Sequence, residues 1–206
     1  MSAFVIAAHA ECGDFADARV LAGAACQRVS MEEAVQECAG LVFSGHGVSE
    51  PMNDGIALAG HEGDAALVDT HNVSMLSGRW VHAIACRSAG ELAREAVLNG
   101  VAAWAGYTSA LHVDFDPEVL PLEGRALFQQ FVTVTSCLLA RGERCSLAIK
   151  GELDEPRLAL VAWVDEQLES FDALTEEQVR ALDSLRWFTE QLVDRLEVHV
   201  AVAAPE

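Results

Sequence analysis

Val81-His-Ala-Ile-Ala-Cys86-Arg-Ser-Ala-Gly90, read together with Leu41-Val-Phe-Ser-Gly-His46-Gly47 upstream, decides the fold. Each stretch is a short apolar run that stops abruptly on a reactive side chain. Ile84-Ala85 leads into Cys86, and Val42-Phe43 leads through Ser44-Gly45 into His46. Short apolar runs bounded by turn residues read as buried strands of a parallel sheet. In such sheets, ligands and chemistry lie beyond the carboxyl ends of the strands. Two neighbouring strands of this kind place a thiol and an imidazole at one rim, the arrangement that a cysteine nucleophile with a histidine base requires.

Working outward, residues 4–8 read as a first strand, and the alanine-rich residues 15–28 as a helix. Ser30-Met-Glu-Glu33 has the form of a capping box, starting a short helix that ends near Gly40. Residues 54–69 read as a hairpin, with Ile56–Leu58 and residues 65–68 joined by a His61-Glu62-Gly63 turn; His61 and His71 are expected at the surface. Residues 73–76 form a short helical segment before the strand at residues 80–86. His82 inside that strand shares a pleat face with Cys86 but lies deeper, which suits a hydrogen-bonded core histidine. Ser88-Ala-Gly-Glu91 reads as a second capping box, so a helix begins just after Cys86 and runs to Asn99-Gly100. The positive end of that helix, Arg87 and a protonated His46 would all favour thiolate at Cys86.

Residues 101–107 are the next buried strand, followed by a loop at 108–117 that carries Asp114 and Asp116. A helix at 122–140 places Leu127, Phe131 and Leu138 at helical spacing. Pro156 is expected to open another helix to about residue 171. Thr175-Glu-Glu-Gln178 is a third capping box, opening a helix with Val179, Leu182, Leu185, Leu192 and Leu196 on one face. Strands alternating with helical patterns indicate an α/β fold with a mostly parallel central sheet and C-terminal helices.

Composition narrows the function. The 206 residues carry a net charge of −19 and one lysine, Lys150. That balance excludes nucleic acid, whose binding needs a basic patch to release counterions, and an anionic membrane surface. No apolar run approaches the ~20 residues of a membrane span. Residues 1–10 imitate a signal peptide with an A-x-A end, but lack basic residues and are too short. The cysteines at 12, 26, 38, 86, 137 and 145 are irregularly spaced in a chain much longer than a disulfide scaffold, so they read as reduced thiols in a cytoplasmic protein. His9 and Cys12 stand three apart, but no second pair with metal-ligand spacing accompanies them, so no metal or other cofactor is expected.

His46-Gly47, a spacer and Ala85-Cys86 resemble the active-site pattern of the caspase-like cysteine peptidases (clan CD). The chain most resembles the bacterial CHAT-domain branch, whose relatives include separases, gingipains and metacaspases. Ala85-Cys86-Arg87 is similar to the centre of the caspase signature Q-A-C-[RQG]-G, with Ile84 in place of Gln and Ser88 in place of Gly. Phe128, Phe131, Gly142 and Leu147-Ala148-Ile149 are similar to the helices that close a CHAT domain. The resemblance implies a three-layer caspase-like domain over residues 1–155, with a helical extension at 156–206 packed on it. It implies a cysteine endopeptidase in which Cys86 attacks, His46 handles protons, and the N–H groups of Gly47 and Cys86 hold the oxyanion. Gly47, without a Cβ, lets its N–H approach a reacting oxygen closely. Bacterial antiviral defence or cell-death signalling follows from the same resemblance, with an activating partner or an upstream protease as the switch. Residues 142–156 and the 108–117 loop are the expected exposed segments for it, with Arg141, Arg144, Lys150 and Arg157 as cut sites.

Charge near the site bears on specificity. Glu50, Asp54, Asp114 and Asp116 lie in the loops after the two strands, where Arg87 is the only basic residue. A pocket for aspartate needs converging arginines, because a desolvated carboxylate is costly unpaired. The acids favour Arg or Lys before the cut bond, and Asp114 and Asp116 are the candidate substrate-binding residues. Two other classes compete. One is a catalytically silent adaptor binding a partner through its acidic surface and C-terminal helices. The other is a hydrolase or amidotransferase with a nucleophile elbow, which residues 84–88 match poorly for want of flanking glycines.

Overall fold

A computed structural model describes residues 4–8, 19–22, 25–49, 56–59, 66–111, 119–170 and 174–201. Along them run β1 (Phe4–Ala8), β2 (Arg19–Ala22), α1 (Arg28–Val35), β3 (Gly40–Ser44), β4 (Gly47–Ser49) and β5 (Ile56–Leu58). Next come β6 (Trp80–Ile84), α2 (Glu91–Leu98), β7 (Ala103–Tyr107), α3 (Leu122–Ala140), α4 (Ser146–Glu169), α5 (Glu176–Asp194) and β8 (Leu196–Val200). Six strands pair in the order β2-β1-β3-β6-β7-β8, and β4 with β5 forms a separate ribbon. The ladders β3–β6 and β6–β7 are parallel, while β1–β2, β1–β3 and β7–β8 are antiparallel. β2, β3, β6 and β7 therefore run the same way, and the chain is a mixed α/β protein whose central strands are parallel.

Period-two alternation sorts the side chains onto two faces. Leu41 and Phe43 of β3, Val81 and Ala83 of β6 and Trp104 of β7 pack with Met31 and Val35 of α1 and Leu92 of α2. Val42, Trp80, Ala103, Ala105 and Tyr107 face the other way, toward α3, α4 and α5. Helices thus cover both faces, and the parallel strands read as unbroken apolar runs because neither face is wet.

Gly40 and Trp80 are paired neighbours in the β3–β6 ladder, and a Cβ at Gly40 would fall 1.9 Å from the Trp80 indole. Both sit in rigid sheet, so the clash moves the indole or the strand. Gly40→Ala is expected to destabilise the protein by about 1–3 kcal/mol, the usual range for overpacking. Urea denaturation reads this directly, and an unchanged midpoint would show that the indole swings aside freely.

Several local expectations give way to long-range pairing. Residues 15–28 are not one helix: Arg19–Ala22 is a strand, paired with β1 from Phe4↔Ala22 to Ala7↔Arg19. Leu21 is buried in the core there, and burial plus ladder bonds outweigh alanine's modest helix propensity. α1 starts earlier than its expected cap, with Gln27 at the N-cap and Ser30 inside the first turn. Ile56–Leu58 takes Gly47–Ser49 as its main partner; of the expected hairpin the described residues show a Leu58↔Val68 bridge, and the residue 61–63 turn lies outside them.

Pro156 does not open a helix but sits inside α4. The proline disrupts a helix by about 3 kcal/mol. Ile149, Leu153, Leu160, Trp163 and Val164 are buried along α4, each stabilising by roughly 1.5–3 kcal/mol, so packing wins. The segment 142–156 is consequently mostly helix rather than an exposed loop, and the boundary expected after residue 155 falls within α4. Leu196 does not continue α5 but begins β8, which completes the sheet against β7. The strand expected at 101–107 forms over Ala103–Tyr107, and the helix at 122–140 and the Thr175–Gln178 capping box form as expected. No helix among the described residues is long and apolar enough to cross a membrane.

Candidate active site

The β3–β6 register runs in parallel from Gly40↔Trp80 to Ser44↔Ile84, and the Gly45 N–H donates to the Ile84 carbonyl at 3.2 Å. Both strands therefore stop together. His46 and Cys86 each stand two residues past the last pair, at the same carboxyl rim of the sheet. His46 is exposed and Cys86 is half-buried, so the imidazole fronts solvent while the thiol sits against the protein.

Cys86 is bracketed by the backbone of one residue, Leu111. The Leu111 N–H donates to Sγ at 3.2 Å, and the thiol donates to the Leu111 carbonyl at 3.6 Å. The two backbone groups of this residue thus offer a partner to the sulfur whether or not it carries a proton. Arg87 follows with φ of 55°, the one non-glycine residue with positive φ among those described. Such a conformation costs of order 1–3 kcal/mol and persists where surrounding bonds enforce it. Here they do: the Arg87 N–H donates to the Ser109 carbonyl at 3.1 Å, and the Ala89 N–H to the Tyr107 carbonyl at 3.1 Å.

Ser88 anchors this turn rather than capping α2, whose N-cap is Gly90. Fully buried, it donates through Oγ to the Ala83 carbonyl at 2.7 Å and accepts from the Tyr107 N–H at 3.1 Å. The Trp104 indole N–H donates to the Ser88 carbonyl at 2.8 Å. Gly106 makes room, since a Cβ there would lie 2.7 Å from the Ser88 carbonyl carbon. No local signal marks Ser88 for this role, because its partners come from two different strands.

His46 is followed at once by β4. Its carbonyl accepts the Ala59 N–H at 2.9 Å, while the Leu58 N–H and C=O go to residues 67 and 68. Gly47 faces Leu58 as a non-hydrogen-bonded pair, and its N–H is turned away from that strand. The Cys86 N–H has no acceptor among the described residues. Asp114, Asp116, Glu50 and Asp54 lie outside the described residues, as do His9, Cys12 and His61.

Beneath the rim, His82 is buried with Nδ1 2.8 Å from Ser136 Oγ and Nε2 3.1 Å from Tyr107 Oη. Burial holds its pKa down to about 3 and pushes the Tyr107 hydroxyl up. It is the hydrogen-bonded core histidine expected. Among the described residues Cys26, Cys38, Cys86 and Cys145 are free thiols, and burial raises the pKa of Cys26 and Cys38. Arg79 beside Cys38 opposes that rise only in part. His71 is exposed as expected. A groove of about 430 Å³ between α3 and α4 is lined by Leu127, Cys137, Arg141, Glu152 and Pro156, and includes neither His46 nor Cys86.

No family model, curated protein or solved structure matches the chain.

Proposed function

We infer that this protein is a caspase-like cysteine endopeptidase with a three-layer domain of the CHAT type. The observation that carries the reading is the in-register parallel pair β3–β6, whose common end delivers His46 and Cys86 to one rim. A strained residue directly after the thiol, held by bonds from β7 and the loop beyond it, supports it. Cys86 Sγ attacks the scissile carbonyl, and the carbonyl oxygen becomes an oxyanion held by the Gly47 and Cys86 N–H groups. His46 passes a proton to the departing amine, leaving an acyl-enzyme thioester. Water then attacks that thioester, giving His46 its proton, and the carboxylic acid leaves as Sγ is restored.

Cleavage after Arg or Lys follows from the acidic loops, with Asp114 and Asp116 as the pocket. A carboxylate about 4 Å from a guanidinium gains on the order of 4 kcal/mol at an effective dielectric of 20, before desolvation is subtracted. Matched fluorogenic peptides ending in Arg, Lys, Asp or Asn test both statements on partner-activated protein. Arg or Lys should lead by at least tenfold, and Asp114→Ala or Asp116→Ala should abolish that lead. Fastest turnover of the Asp peptide would refute the pocket. The proposed setting is cytoplasmic bacterial defence or cell-death signalling, switched by a protein partner or an upstream cut. Of the expected cut sites, Arg141 is exposed at the α3–α4 turn, whereas Lys150 donates to the Asp194 carbonyl at 3.0 Å and Arg157 pairs with Glu190 at 2.9 Å.

Leu122, Leu147 and Leu158 are exposed on α3 and α4, and this favours a second reading as a silent adaptor. The same peptide panel separates the two, because an adaptor turns over none of the four.

A further inference from the structure

Arg195 sits at the junction of α5 and β8, far along the chain from Cys86, yet it converges on the loop that touches the sulfur. Its guanidinium Nη1 donates to the Ala110 carbonyl, and to Gln191 Oε1 at 2.6 Å. Its own carbonyl accepts the Thr108 N–H at 3.0 Å. The Trp187 ring lies under the guanidinium carbon at 5.9 Å, within cation–π range. One residue therefore grips the loop at both 108 and 110. Between and beyond those points, Ser109 holds the Arg87 N–H and Leu111 brackets Cys86 Sγ.

We propose that Arg195 is a positioning residue that holds the Leu111 peptide against Cys86, so that the C-terminal α5–β8 junction sets the reactivity of the thiol. The proposal deepens the reading of Cys86 as nucleophile and rests on it. The chemistry is specific to a forked, charged donor. A planar guanidinium can donate to a loop carbonyl and a helix side chain while stacking on an indole. A thioether of similar length keeps the packing but makes neither bond. An ammonium keeps the charge and a single donor group, so it recovers part of the grip.

The test compares wild type, Arg195→Met and Arg195→Lys as full-length proteins, each checked for an intact thermal transition. Hydrogen exchange is followed in the peptide covering residues 108–111, and Cys86 alkylation by iodoacetamide is followed against pH. In Arg195→Met the loop amides should exchange at least tenfold faster. Cys86 alkylation at neutral pH should fall about fivefold, the effect of losing one hydrogen bond of ordinary strength. Its pH midpoint should move upward, because the N–H donor to the thiolate is no longer held in place. Arg195→Lys should lie between Arg195→Met and wild type in both readouts. Unchanged exchange and an unchanged pH profile in Arg195→Met would overturn the proposal. So would faster exchange with an unchanged profile, since the loop would then be held without acting on sulfur. Equal effects in the Met and Lys variants would show that a charged donor recovers none of the grip, and would also overturn it. If wild-type Cys86 alkylates no faster than Cys145 and ignores His46→Ala, the nucleophile reading fails. The exchange arm then judges the grip on the loop by itself.

Discussion

Cys86→Ala and His46→Ala are each expected to lower peptidase turnover by roughly 10⁴-fold or more, the scale on which loss of a nucleophile or its base acts. Neither change should unfold the protein. His46 is exposed, and a surface substitution of this kind stays within about 0.5 kcal/mol. Cys86 is half-buried and gives up its contacts to the Leu111 peptide, worth about 1 kcal/mol. A large kinetic effect with a small thermal one is what separates a reacting group from a structural one. The double variant should be no worse than the worse single, because the two act as a unit. Alkylation supplies an independent check. Among the described residues Cys145 is the exposed thiol, so simple accessibility puts it ahead of Cys86. Cys86 should nevertheless be labelled ahead of it in wild type and lose that lead in His46→Ala. Retained turnover in either single variant, or labelling that follows exposure alone, would end the dyad reading.

The second large effect is on stability and comes from His82. In the folded protein its pKa lies at about 3, because burial between β6, β7 and α3 disfavours the imidazolium. In the unfolded chain an imidazole titrates near 6.5. Below that value the unfolded state binds a proton that the folded state refuses. The stability tied to neutral His82 is therefore complete above pH 6.5 and is lost as pH falls toward 3, at up to roughly 1.4 kcal/mol per pH unit. The interval from pH 6.5 to 5 covers the onset of that loss. His82→Gln keeps a donor and an acceptor for Ser136 and Tyr107 but cannot be protonated. It should lose about 1–3 kcal/mol at pH 7.5, where its hydrogen-bond geometry is poorer. Taken as wild type minus variant, the stability advantage should shrink by roughly 2 kcal/mol between pH 6.5 and 5, the other histidines cancelling in that difference. Urea titrations at several pH values give it directly. A difference that does not vary with pH would mean that His82 already takes up its proton in the fold.

Local pattern carried much of this protein's reading. The apolar runs before His46 and Cys86 became adjacent strands, and the position of His82 in mid-strand marked it as a core residue. The helix at 122–140 and the Thr175–Gln178 cap were legible because periodicity and capping act over three or four residues, inside a window the chain itself displays. What failed locally was decided by partners far away. Arg19–Ala22 is a strand because β1 offers it a ladder, and Leu196–Val200 is one because β7 does. Pro156 stays inside α4 because buried residues on either side of it outweigh its helix-breaking effect. Ser88 matched a capping pattern, yet its hydroxyl bridges Ala83 and Tyr107, which only the folded sheet brings within reach. The sulfur environment is the clearest case, since the Leu111 peptide and Arg195 carry no mark of their roles in the chain around them. A backbone amide has no identity in sequence, and a lone arginine between a helix and a strand reads as surface charge. Sequence by itself therefore marked His46 and Cys86 at the ends of two apolar, strand-forming runs. Tertiary structure alone decided what surrounds the thiol, because hydrogen bonds between distant segments exist only once the sheet has closed.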